Sequence, residues 1–159
     1  MRFLLPFFQW ADHTWVSDVI RNSKWMFPAI EGIHIMALAV LFGALLLINL
    51  RLWNLTMRSQ PVARLADELA PWMWTRLAII VITGSLLFAS EAMKCYANGP
   101  FQVKMAFLFG AILFHFTWYR RVTHWHDERR PMGVGPATAA CSVLLWFGVG
   151  WGGRLIGFF

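Results

Sequence analysis

Residues 29–50 read AIEGIHIMALAVLFGALLLINL. An α-helix rises 1.5 Å per residue, so about 20 mainly apolar residues cross the roughly 30 Å of hydrocarbon in a bilayer. The run is long enough, yet Glu31 and His34 interrupt it. An ionisable side chain in hydrocarbon costs about 2.5–3.5 kcal/mol on insertion scales, so such groups face protein, a partner or a ligand. The stretch therefore reads both as a membrane span and as one wall of a polar site. Three further apolar stretches follow at 77–93, 105–118 and 137–159, with Arg76, Glu91, Lys94, Lys104, His115 and Arg154 in or beside them. With their flanks the four predict spans at 29–52, 72–94, 101–121 and 137–158. The expected fold is all-α, a membrane-embedded up-down four-helix bundle.

Composition agrees. A 159-residue chain that is 58% hydrophobic is too apolar for an ordinary soluble domain. Trp10, Trp15, Trp25, Trp53, Trp72, Trp74 and Trp118 lie near predicted helix ends, as interfacial aromatic belts do. The net charge of +6 does not indicate a nucleic-acid partner, because the cations cluster in loops between spans rather than on a basic stripe with stacking aromatics. The lipid bilayer is the expected partner. Cys95 follows span two and Cys141 opens span four, which puts them at opposite membrane faces, too far apart for a disulfide. The opening MRFLLPFFQW is interrupted by Pro6 and lacks a small-residue cleavage site, so no cleaved signal peptide is expected.

Arg51, Arg58, Arg64 and Arg76 lie in one connection and Arg120, Arg121, Arg129 and Arg130 in another; Arg2, Arg21, Lys24, Lys94, Lys104 and Arg154 fall on the other side. The positive-inside rule then places both termini outside and both basic loops in the cytoplasm. In the bacterial inner membrane that the resemblance below implies, the outer side is the periplasm. Residues 1–27 read as an N-terminal interfacial amphipathic segment and 28–159 as the bundle. Within the first, 12–26 predicts a short helix with Asp12 as N-cap, ended or kinked by Pro28 and lying on or lidding the outer face. Residues 60–70 predict a separate interfacial helix. Asn98-Gly99-Pro100 predicts a tight turn joining spans two and three.

Helical spacing sorts the polar residues. Arg76, Thr83, Ser90 and Lys94 share one face of span two, with Glu91 on its border. Lys104 and His115 share a face of span three, and Glu31 and His34 are neighbours on span one. Glu31, His34, Glu91, Lys94, Lys104 and Arg154 are expected in the outer part of the bundle, with Arg76 and His115 toward the inner half. Either these groups lock helix ends as a salt-bridge network, or they line a polar pocket for a cofactor's charged groups or a quinone.

His34 and His115 are candidate haem-iron or metal ligands, since neutral imidazole is the commonest such ligand. The alternative for each is an interhelical hydrogen bond. Counted from the span starts, the two differ in depth by roughly 12 Å at 1.5 Å per residue, which disfavours one haem held by both. His124 and His126, beside Asp127 and Glu128, form a second candidate site for Cu, Ni or Zn, or else solvated loop charge. Gly148/Gly152 and Gly153/Gly157 in span four, and Ala39/Gly43 in span one, are small-xxx-small pairs that permit close helix approach. They pack within the bundle or between subunits, so a homo-oligomer through a glycine-rich face is a further expectation.

At Trp25-Met26-Phe27-Pro28-Ala29-Ile30-Glu31-Gly32-Ile33-His34 and Asn49-Leu50-Arg51-Leu52 the chain resembles an uncharacterised family of small four-helix bacterial inner-membrane proteins. Phe101-Gln102-Val103-Lys104-Met105, His115 and the closing Gly153-Arg154-Leu155-Ile156-Gly157 extend the resemblance over most of 15–159. More distantly it is similar to CopD-type and cytochrome-b-type membrane proteins. That likeness implies haem b electron transfer, with quinone as an exchange partner, or copper handling. The chain departs from the dihaem pattern, which needs paired histidines at matching depths. A haem b protein is the leading expectation, with His34 as axial ligand and Lys94, Lys104 and Arg154 near propionates or a quinone oxygen. A copper or other metal-ion carrier and a non-catalytic oligomeric accessory subunit are the alternatives. No residue spacing supports covalent catalysis.

Overall fold

The computed structural model describes residues 5–125 and 131–156. It is helical throughout, with no strand among the described residues. The helices are α1 (Leu5–Asp12), α2 (Trp15–Asn22), α3 (Met26–Leu52), α4 (Val62–Ser90), α5 (Ala92–Ala97), α6 (Gly99–Phe114), α7 (Arg120–Thr123) and α8 (Val134–Ile156); a π-helical turn, His115–Tyr119, joins α6 to α7. Four segments are long and apolar enough to cross a membrane: Met26–Leu52, Val62–Ser90, Gly99–Thr123 and Val134–Ile156. Trp10, Trp15, Trp25 and Trp118 are exposed near the ends of helices or spans, whereas Trp72 and Trp74, also exposed, lie inside α4 because that helix starts earlier than expected.

Several boundaries differ from those the sequence predicts. No helix runs over 12–26. Asp12 ends α1 and takes an ion pair from Arg21 at 2.8 Å, while Thr14 caps α2 by accepting from the Ser17 amide. Pro28 sits in the first turn of α3, where its missing N–H has no helical partner to lose. The segment 60–70 is not separate. It is the start of α4, which runs through Pro71 because Val62, Leu65 and Met73 continue one buried stripe. Span two instead breaks at Glu91 (φ −133°, ψ 31°), so Lys94 belongs to α5 and leaves the stripe that begins at Arg76. The Asn98 turn is as expected, and its side chain caps α6 by accepting from the Phe101 amide at 3.0 Å.

Packing follows a simple order. α3 lies against α4 and α8, and α6 lies against α8, whereas α4 and α6 scarcely meet along their backbones. Cross-contacts fix the relative directions. His34 near the start of α3 meets Thr83 late in α4, and Lys104 near the start of α6 meets Gly152 late in α8. At the other end, Trp53 donates to the Pro136 carbonyl at 3.0 Å, and Trp118 to Thr138 at 3.1 Å. Neighbours thus run antiparallel. The seam between α4 and α6 is bridged by ring pairs, Phe88 with Phe101 (5.6 Å) at one end and Trp74 with Phe116 (5.1 Å) at the other.

α1 and α2 cover the end at which α4 finishes. Ser17 donates to the Ala89 carbonyl at 2.9 Å, and Phe8 packs on Phe88 and Tyr96. Two glycines decide how close α6 comes to α8. A Cβ on Gly152 would sit 2.9 Å from Lys104 Cβ and 3.1 Å from its Cα, and one on Gly148 would meet the Phe107 ring. This glycine face is therefore used inside the chain, while nothing lies within 4 Å of a Cβ built on Gly43.

Candidate functional site

His34 stands in a defined setting. Its Nδ1 lies 2.8 Å from the Thr83 hydroxyl, which itself lies 2.6 Å from the Ile79 carbonyl oxygen. A carbonyl oxygen only accepts, and a hydroxyl has one proton, so that proton goes to Ile79. Thr83 must then accept from His34. The imidazole carries its proton on Nδ1 and presents the lone pair of Nε2. Gly84, next in sequence, makes room for the ring: a Cβ there would be 3.2 Å from His34 Cε1. The Thr83-Gly84 pair is thus a seat that fixes both tautomer and ring position, the arrangement typical of ligating histidines.

Of the cations expected in the outer part of the bundle, Lys104 is the one the fold packs between helices. It is half-buried, and its stem lies along Gly152 and Gly153. Cys95 is buried beside the same group of charges. Burial, reinforced by Glu91, pushes its thiol up to about 11. Both cysteines are free, as expected. Glu91 and Lys94 form an ion pair with each other on the surface. Glu31 is exposed although it neighbours His34 in sequence. Arg154 is exposed on another flank of α8, beside an apolar groove lined by Phe42, Leu46 and Trp151. The fold brings His34 and Thr83 together and packs Lys104 against α8, while Glu31 and Arg154 are exposed.

His115 lies elsewhere. It lines a narrow cleft with Leu41, Ile48 and Leu77, one to two heptads further along α3 than His34. The two imidazoles do not share one site. His115 stacks on Tyr119 (5.0 Å, 24°), and its Nδ1 is buried without a hydrogen-bond partner among the described residues. Arg76 is half-buried, with its Nε likewise unpartnered and its guanidinium 6.0 Å from the Trp72 ring centre.

In the candidate loop site, His124 Nδ1 donates to the Arg120 carbonyl at 2.8 Å, and Nε2 meets Asp67 at 3.0 Å. Both nitrogens are engaged, so His124 is an interhelix tie and not an open ligand. His126 lies outside the described residues. Among the described residues no three His, Cys, Asp or Glu side chains group as a metal-ion cage.

Sequence reasoning missed a buried polar chain. Tyr119 donates to Asn49 Oδ1 at 2.9 Å, and Asn49 donates to Ser142 at 3.3 Å, joining the π turn, α3 and α8. An Asn inside a 27-residue apolar helix was the available signal. The π turn left no signal of its own.

A family model described as a family of unknown function (DUF6644) matches residues 7–159. The chain belongs to this family. The family so found carries no activity with it; the resemblance to an uncharacterised family agrees with this match, and nothing in it links the chain to CopD-type or cytochrome-b-type proteins. No curated protein and no solved structure matches the chain significantly.

Proposed function

We propose that the protein is a haem-b-binding electron-transfer protein of the bacterial inner membrane, an up-down four-helix bundle with both termini in the periplasm. The observation that carries this reading is the His34 seat. With Nδ1–H given to Thr83, the Nε2 lone pair is free and aimed by its neighbours, as an axial ligand requires. A bare metal ion needs three or four protein donors, and no such group is found among the described residues. A porphyrin supplies four nitrogens of its own, so one seated imidazole suffices. This weighs for haem over a metal ion caged by His, Cys and carboxylates, as does the engagement of both His124 nitrogens.

When bound, haem would supply one-electron exchange, which side chains alone do not provide. This chain's residues would bind and orient it. His34 would ligate, Thr83 would hold the ring, and Lys104 would offer its ammonium to a propionate. The apolar sides of α4 and α6 would exclude water. The unequal placement of His34 and His115 supports a single-histidine site and not a shared pair.

The test is the absorption spectrum of detergent-purified protein from haem-supplied cells, air-oxidised and then dithionite-reduced. A Soret band that sharpens with an α-band on reduction, and is lost in His34→Ala, is the expected result. Protein without a Soret band sinks the reading.

A further inference from the structure

The groove between α3 and α8 lies apart from the His34 seat and has a volume of about 420 Å3. Its walls are aromatic pairs. Phe42 meets Trp146 edge-on at 5.8 Å, and Phe147 stacks on Trp151 at 5.9 Å. Gly150 leaves bare backbone in the lining, where a Cβ would meet only the tip of the Phe42 ring, at 3.9 Å. Asn49 and Ser142 close one end, buried and bonded to each other, and Arg154 stands exposed at the other.

Length and width select the occupant. On α8 the lining runs from Ser142 to Arg154, about 18 Å at 1.5 Å per residue. The hydrocarbon of one leaflet is about 15 Å deep, half of the roughly 30 Å core. Spread over its length, the volume leaves a section of about 23 Å2. An α-helix with its side chains is about 10–12 Å across and needs about four times that section, so neither a second copy's span nor a partner helix fits. A single extended hydrocarbon chain does. The groove also opens on the flank of two helices apolar enough to cross a membrane, where lipid chains are the molecules at hand.

The charged end selects further. Arg154 and exposed Trp151 lie one turn apart near the end of α8, a cation beside an aromatic ring, as at a membrane boundary. A guanidinium has five N–H donors in a planar fork that matches phosphate, so it can hold one beside another contact. We propose that the groove binds an anionic phospholipid of the leaflet on the α1 and α2 side, with Arg154 on its phosphate and one acyl chain lying along Gly150. A zwitterionic lipid carries its own cation beside the phosphate and gains less from Arg154. The inference rests on the four apolar helices lying in a bilayer; it does not require the haem reading.

Native mass spectrometry of the full-length protein, released from detergent and titrated with dioleoylphosphatidylglycerol or dioleoylphosphatidylcholine, tests this. One phosphatidylglycerol should bind about fivefold more tightly than phosphatidylcholine, the effect of one cation at the membrane surface on one lipid charge. Arg154→Gln should bring the two lipids to the same affinity. Gly150→Leu, which fills the groove and leaves Arg154 in place, should remove the tight adduct of either lipid and leave the absorption spectrum as in the unchanged protein. Arg121→Gln, a charge removed from the exposed surface at the opposite end, should keep the preference. Equal affinity for the two lipids in the unchanged protein, the same loss of preference in Arg121→Gln as in Arg154→Gln, or tight adducts that persist in a folded Gly150→Leu variant would overturn the proposal.

Discussion

His34 and His115 are the same residue type in two apolar helices, yet the fold gives them opposite faces of imidazole chemistry. At His34 a threonine whose own proton is committed to Ile79 pins the imidazole proton on Nδ1. At His115 Nδ1 is buried with no partner among the described residues, which favours the proton on Nε2. The first leaves a lone pair, the second a donor. Hydrogen-bonding neighbours, and not the histidine itself, decide whether an intramembrane imidazole can hold a metal or an oxygen.

The largest expected effect breaks the first half of this contrast. His34→Ala should abolish the haem spectrum, while His115→Ala should leave it in place; loss of the spectrum in both would mean that the iron is shared. Thr83→Val is the sharper variant. It keeps the shape and removes the acceptor, so haem affinity should fall about 10–100-fold in a titration of haem-free protein, the usual cost of losing such a partner. Unchanged affinity would show that Thr83 does not set the tautomer.

Next in size is Gly152→Ala, which presses a methyl group against Lys104 Cα and Cβ. Overpacking of this kind costs about 1–3 kcal/mol. It should lower the thermal midpoint in detergent by loosening the α6–α8 contact. Tyr119→Phe tests the other region. Loss of one interhelical hydrogen bond within a membrane averages about 0.6 kcal/mol, so stability should fall slightly, with the haem spectrum intact.

The smallest effect is a labelling difference. The Cys95 thiol, raised to about 11 by burial, stays protonated at pH 8, and the thiolate is the reactive form. Maleimide at pH 8 should therefore label exposed Cys141 first. Labelling of Cys95 should rise about tenfold per pH unit toward its pKa, since the thiolate fraction grows at that rate below it. Prompt labelling of Cys95 at pH 8 would mean that the α1 and α2 cover is open.

The spans were legible in the sequence because hydropathy and length act along the chain, and their observed bounds lie within a few residues of those predicted apart from the start of α4 and the break at Glu91. The miss at α4 has a clear reason. A proline argues locally for a boundary, but the buried stripe of Val62, Leu65 and Met73 overrides it. The wheel placed Thr83 on the polar face of span two. That it meets His34 depends on the relative depth of two helices, which α3 sets by starting at Met26 ahead of Pro28. The outer cluster was over-read for the same reason. Shared depth does not give shared direction, and Glu31 and Arg154 turn outward. The π turn depends on packing around Tyr119 that no local pattern encodes.

The contrast between the two imidazoles is tested most directly by nitrogen NMR of haem-free protein carrying 15N-histidine, with His34→Gln and His115→Gln variants for assignment. The account predicts His34 as the Nδ1–H tautomer and His115 as the Nε2–H tautomer in the same sample. A His34 protonated on Nε2 would contradict it, because that nitrogen could not then face an iron.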